Sequence, residues 1–205
     1  MMYKEEREKL CRYTKSMFDR KLTNAAGGNV SVKVSEEHYI MTPSFMSQAH
    51  LCDLVSEQIL VIDKEGNILE GDGKVTREFN MHMVCYEENE KVGCVIHAHP
   101  LDSMVFATLG MDMPNLSEAS EKLGEIKCLE YAPSTSTELA EKVREELKKA
   151  NRIPQAFLLK RHGILLQGDN IEKTYDMVER LEWNAHIAIN YLLFNKKADV
   201  EMNLD

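Results

Sequence analysis

Two histidines one residue apart, in His97-Ala98-His99, close the apolar run Val92-Gly93-Cys94-Val95-Ile96. The run is short, β-branched and preceded by charged residues, which predicts a buried strand. Side chains on a strand alternate between faces, so His97 and His99 share one face and Ala98 takes the other. Two imidazoles side by side on a rigid element suit a divalent transition metal; they also suit a solvated strand end, and the spacing alone leaves both readings open. Pro100 has no amide hydrogen for a ladder, so the strand is expected to stop where the pair is presented.

A catalytic metal centre needs a third ligand and an open position for water or substrate. His162, in the tight Arg161-His162-Gly163 segment between two apolar runs, is the candidate, with Gly163 expected to let the chain reverse there. A turn histidine bonded to solvent is the simpler alternative. His38, His50, His82 and His186 sit in polar or helical settings and read as surface or core residues. Glu78 is the carboxylate of choice. It is expected in the first turn of a helix capped by Thr76 and running to about Glu87, where the helix N-terminus favours negative charge. Near a metal it would be a fourth ligand or a general base, and elsewhere a plain cap. A second constellation surrounds Ala26-Gly27-Gly28-Asn29: Gly28 lets the backbone approach an anion, and Asn29 adds a side-chain donor. Ser44, Thr76 and Arg77 bring hydroxyl and guanidinium groups that could meet the same anion.

The elements that must hold these residues follow from pattern. An amphipathic helix is expected from about Tyr3 to Arg20, then strands at Val30–Val34 and His38–Thr42. Ile59–Ile62 and Ile68-Leu69 read as a hairpin. Helices are expected at Leu101–Leu109 and Ser136–Ala150, and strands at Ala156–Leu159 and Ile164–Leu166. Asp169 with Glu172 resembles a capping box for a last helix whose stripe is Ile171, Tyr175, Val178, Leu181, Ala185 and Ala188. The result is one α/β domain over residues 1–205, helices packed on a mixed sheet. With 205 residues, 43% hydrophobic and 29% charged, the chain can bury a sizeable core. A net charge of −9 argues against nucleic acid or an anionic membrane as partner, although a local pocket can still be positive. Five cysteines without CxxC spacing point to reduced thiols, with Cys85 and Cys94 as core fillers. No apolar run approaches a bilayer span, and Met1 to Lys9 lacks the apolar core of a signal peptide, so a cytoplasmic location is expected.

Taken together, Gly28-Asn29-Val30-Ser31, Thr42-Pro43-Ser44, Glu78 with Met81-His82, His97-Ala98-His99-Pro100, Ala132-Pro133 and His162-Gly163 resemble, in order, the motifs of the class II aldolase/adducin family, and within it the L-fuculose-phosphate aldolase group. The resemblance runs from about residue 5 to residue 195. It implies a three-layer αβα sandwich with a central mixed, largely antiparallel sheet, and a homotetramer with active sites at subunit interfaces. It also implies zinc, or another divalent transition metal, on His97, His99 and His162. In aldolase members the ion chelates oxygens of a ketose phosphate. Cleavage then leaves a metal-stabilised enediolate, and the residue matching Glu78 handles its proton; the products are dihydroxyacetone phosphate and an aldehyde. The same scaffold serves pentulose-phosphate 4-epimerases, a methylthioribulose-phosphate dehydratase, decarboxylating relatives and the non-catalytic binding domain of adducin. The last would be expected to have degraded ligands.

Four departures bear on the substrate. Phe45 stands where the Thr-Pro-Ser/Thr-Gly loop ends in glycine, and is expected to obstruct or reshape a phosphate cradle. Thr76-Arg77 replaces two small hydroxyl residues; Arg77 either strengthens the anion contact or selects a carboxylate. Ala26 removes a hydroxyl. Glu118 lies near the place of a tyrosine that fuculose-type aldolases supply from a neighbouring subunit.

Overall fold

The computed structural model describes residues 1–202, with side chains through residue 195. Its strands are β1 (Asn29–Lys33), β2 (Tyr39–Met41), β3 (Leu60–Ile62), β4 (Ile68–Glu70), β5 (Cys94–Ala98), β6 (Lys127–Leu129), β7 (Gln155–Leu159) and β8 (Gly163–Gly168). The helices are α1 (Lys4–Asp19), α2 (Met46–His50), α3 (Phe79–Glu88), α4 (Leu101–Leu109), α5 (Thr137–Lys149) and α6 (Ile171–Met202). All eight strands form one sheet in the order β4-β3-β2-β1-β5-β8-β7-β6. Only β6 and β7 pair in parallel; the rest are antiparallel.

The two-residue period of the strands divides the core. Val30, Ile40, Ile96, Leu158 and Leu166 share one cluster with Leu10 and Met17 of α1, Phe106 of α4, and Val178 and Leu181 of α6. Met41, Leu60, Val95, Phe157 and Leu165 turn the other way, onto Val84 and Cys85 of α3 and Leu139 and Val143 of α5. Helices thus cover both faces, the expected αβα sandwich. Each large aliphatic side chain so buried contributes about 1.5–3 kcal/mol relative to leaving it in water.

Several boundaries differ from expectation for local reasons. β5 starts two residues late because Val92 belongs to a turn, its amide donating to Asn89 O at 3.0 Å. It then runs through His97 and Ala98, since β1 and β8 flank it there in the register Asn29↔His97↔Leu165. Thr76 does not cap α3. It opens a turn in which Phe79 N donates to Thr76 O at 3.2 Å, and Glu78 becomes the N-cap residue at φ −96° and ψ 13°. Asn170, not Asp169, caps the last helix, because the capping oxygen must precede the first helical residue: its Oδ1 accepts from Lys173 N at 3.0 Å. Asp169 and Glu172 instead pair with Lys173 and Lys9. β6 was not expected; it is short, partly exposed and defined by its pairing with β7.

The sheet directions bring the starts of β1 and β8 and the ends of β2, β5, β6 and β7 to one edge of the molecule. Every candidate site residue except Glu78, Thr76 and Arg77 lies on or just beyond these strand ends, and those three precede α3. Ile96 is fully buried on the face opposite His97. Ile96→Ala should therefore cost about 2–5 kcal/mol in urea unfolding while leaving the metal content of the folded protein unchanged.

Candidate metal centre

His97 is the penultimate residue of β5 and is completely buried. His99 follows just past the strand end, and His162 closes the turn between β7 and β8. Ring centroids are 4.8 Å apart for His97 and His99, 4.7 Å for His97 and His162, and 5.7 Å for His99 and His162. One ligating atom from each falls within 4.8 Å of the others. The turn is not made by Gly163, as expected, but by Arg161, which carries the left-handed φ of 61°. Gly163 serves close approach instead: a Cβ there would lie 2.6 Å from both Ala98 O and His99 Cδ2, and 3.0 Å from His97 Cε1. Gly28 takes φ 112°, and a Cβ on it would meet Thr23 Oγ1 at 2.6 Å.

Glu78 faces the histidines from the N-terminus of α3. Its Oε2 lies 3.2 Å from His97 Nε2, and its Oε1 3.1 Å from His162 Nε2. Asn29 Nδ2 donates to Oε2 at 2.9 Å. Burial alone would push the carboxyl pKa up, but the His97 and His162 rings facing it and the hydrogen bond from Asn29 outweigh that, holding Glu78 well below the usual carboxylate range. Burial lowers the His97 pKa and takes that of His99 down to about 3, so both rings are neutral.

Three features fit these residues to a metal ion. His97 Nδ1 donates to Ile164 O at 2.8 Å, so its lone pair sits on Nε2. That nitrogen, both nitrogens of His99, Nδ1 of His162 and Oε1 of Glu78 are buried with no hydrogen-bond partner among the described residues. His97 Nε2 and Glu78 Oε2, 3.2 Å apart, form a pair that a shared proton or a metal cation would satisfy. Three imidazoles with a nearby carboxylate match zinc and its first-row neighbours.

The centre opens on a cavity of about 140 Å³. Gly28, Asn29, Ser44, Thr76 and Arg77 all line it, so the structure brings the sequence-predicted anion group together with the histidines and Glu78. Asn29 enters with its side-chain amide already engaged by Glu78 and His82. Ser44 Oγ donates to Val75 O at 2.9 Å. Sequence reasoning missed Ser134 and Thr135, which line the cavity from the loop before α5. Their signal was the run of hydroxyl residues after Ala132-Pro133. His82, read from sequence as a surface or core residue, is fully buried and bonded to Asn29 and Ser31.

Residues 8–189 match the model of the Class II Aldolase and Adducin N-terminal domain. An L-fuculose phosphate aldolase of Methanococcus maripaludis is 35% identical over 190 residues, covering 92% of this chain and 96% of that one. The chain belongs to the class II aldolase and adducin family. A 3-oxo-tetronate 4-phosphate decarboxylase of Haemophilus influenzae is 27% identical and covers 96% of each chain. Among solved structures, an L-fuculose 1-phosphate aldolase superposes with a TM-score of 0.82 at 28% identity, over 95% of this chain and 89% of that one.

Within this class II aldolase fold the departures take definite form. Phe45 keeps a left-handed backbone at φ 66°, a conformation that costs a non-glycine residue roughly 1–2 kcal/mol. Phe45 is 60% exposed and lines the cavity. Glu118 is exposed in a 3-10 segment and is not among the described residues that line the cavity. Two substitutions probe the ligand set. His97→Ala should abolish stoichiometric divalent-metal binding, measured by elemental analysis after dialysis. Gly163→Ala should push His97 and His99 apart and lower zinc affinity by at least about 10-fold in a chelator competition.

Proposed function

We propose that this chain is a metal-dependent aldolase that cleaves a ketose 1-phosphate of the fuculose-phosphate type to dihydroxyacetone phosphate and an aldehyde. The observation that carries this reading is the convergence of three imidazoles on Glu78, in a cavity also lined by Gly28, Ser44, Thr76 and Arg77. The names of the relatives support it. A zinc-type divalent ion held by His97, His99 and His162 supplies Lewis-acid stabilisation for negative charge developing on substrate oxygens.

The protein's own groups divide the remaining work. Gly28, Ser44, Thr76 and Arg77 hold the phosphate, the guanidinium giving the strongest contact. That anchoring fixes the carbon next to the carbonyl beside Glu78. Asn29 occupies Oε2, so Oε1 is the oxygen left to exchange a proton with that carbon. The chain acts as one catalytic domain in the cytoplasm. It assembles as a homotetramer with interfacial sites, a reading supported by exposed Leu101, Val105 and Leu109 at helical spacing on α4 and by exposed Trp183 on α6. No helix among the described residues is long and apolar enough to cross a membrane.

Arg77 favours one second reading, a carboxylated substrate that loses carbon dioxide, as the name of the Haemophilus influenzae relative suggests. A panel of ketose 1-phosphates and their unphosphorylated and carboxylated analogues, incubated with zinc-loaded protein, separates the two. Release of dihydroxyacetone phosphate is expected. Carbon dioxide without cleavage to an aldehyde would favour the second reading, and turnover of nothing together with no metal uptake would leave an adducin-like binding domain. Glu78→Gln should retain about one metal per chain and lose about 10²–10⁴-fold in kcat. Normal turnover in that variant would remove Glu78 from proton transfer.

A further inference from the structure

We infer that His82 is a positioning residue for Glu78: it orients the side-chain amide of Asn29, and that amide fixes the carboxylate. The inference rests on the reading of Glu78 as the proton-transfer group. Its basis is an unbroken buried chain of hydrogen bonds behind the metal centre. Asn29 Nδ2 lies 2.9 Å from Glu78 Oε2, His82 Nε2 lies 2.5 Å from Asn29 Oδ1, Ser31 Oγ lies 2.7 Å from His82 Nδ1, and Tyr86 Oη lies 2.8 Å from Ser31 Oγ. Exposure along this chain is 8% or less at every member.

The direction of each bond follows from the carboxylate outward. Ionised Glu78 only accepts, so Asn29 must turn its NH₂ toward it and its carbonyl oxygen toward His82. His82 must then donate from Nε2. Burial takes its pKa down to about 3, so the ring is neutral and Nδ1 is left as an acceptor. Ser31 therefore donates to Nδ1 and accepts from the Tyr86 hydroxyl, which burial keeps protonated. Without His82 the carbonyl end of the Asn29 amide loses its buried donor, and only the contact with Glu78 keeps the amide from turning. The flipped amide would set Oδ1 against Glu78 Oε2, two acceptors at contact distance. Register makes the chain possible: Asn29 and Ser31 point to the α3 side of β1, and His82 and Tyr86 are one helical turn apart on α3.

The test uses the zinc-loaded protein with ¹⁵N-histidine labelling, His82→Phe, and His82→Gln, which returns an N–H donor. In the wild type, ¹⁵N spectroscopy should find His82 as the Nε2–H tautomer. His82→Phe should keep about one zinc per chain and lose about 10–100-fold in kcat, with KM little changed. His82→Gln should recover most of that loss, which a purely space-filling role would not predict. An Nδ1–H tautomer, wild-type kcat in His82→Phe, or a glutamine variant no better than phenylalanine would each overturn the inference. If His82→Phe fails to fold, Ser31→Ala removes the hydroxyl that sets the tautomer: a mixed tautomer with lowered kcat supports the inference, and an unchanged ring overturns it. Should the wild type turn over no aldol substrate, the functional reading falls, while the tautomer still decides the hydrogen-bond chain.

Discussion

A carboxylate with 8% of its surface left in water has to be answered by donors or cations, and Glu78 organises its surroundings on that demand. One side of the answer is Asn29, backed by His82, Ser31 and Tyr86. The other side is a pair of imidazoles, His97 and His162, whose Nε2 atoms lie 3.2 and 3.1 Å from the two carboxylate oxygens, where a cation would satisfy both partners. The position of Glu78 ahead of α3 follows from the same demand. As the N-cap residue of α3 it makes no side-chain cap bond to the helix, and its carboxylate bonds Asn29 of the sheet instead.

The sheet supplies the rigidity that makes such close placement reproducible. His97 sits between β1 and β8, paired with Asn29 on one side and Leu165 on the other. A slip of one residue in either pairing would turn Asn29 or His97 to the opposite face and dismantle the site. The large apolar clusters on both faces hold that register, so packing far from the metal centre determines its geometry. Gly163 marks how tightly the pieces meet, since even a methyl group there would strike the backbone of Ala98 and the ring of His99.

Much of this was legible in the sequence. The period-two placement of His97 and His99, the apolar strands and the helix after Pro100 rest on local patterns that the fold preserves. What was illegible depended on tertiary pairing. β6 has no pattern of its own and exists because β7 lies beside it. The left-handed residue of the β7–β8 turn is an arginine, so reading the glycine as the hinge assigned a packing role to the wrong property. His82 looked like an ordinary core histidine because its partners, Asn29 and Ser31, are about fifty residues earlier in the chain. Likewise Ser134 and Thr135 join the cavity only through the path of the loop before α5.

The gathering of strand ends at one edge of the sheet has an evolutionary consequence. Metal ligands and their supports lie on β1, β5 and the β7–β8 hairpin, whereas Phe45, Arg77 and Thr135 lie on loops that leave the sheet or precede α3. Side chains on those loops can change without disturbing strand register, so long as Glu78, next to Arg77, is kept. A lineage could therefore exchange one substrate for another while inheriting the histidine cluster and Glu78 intact, which gives a physical reason for relatives named for carbon–carbon cleavage and for decarboxylation to share one framework.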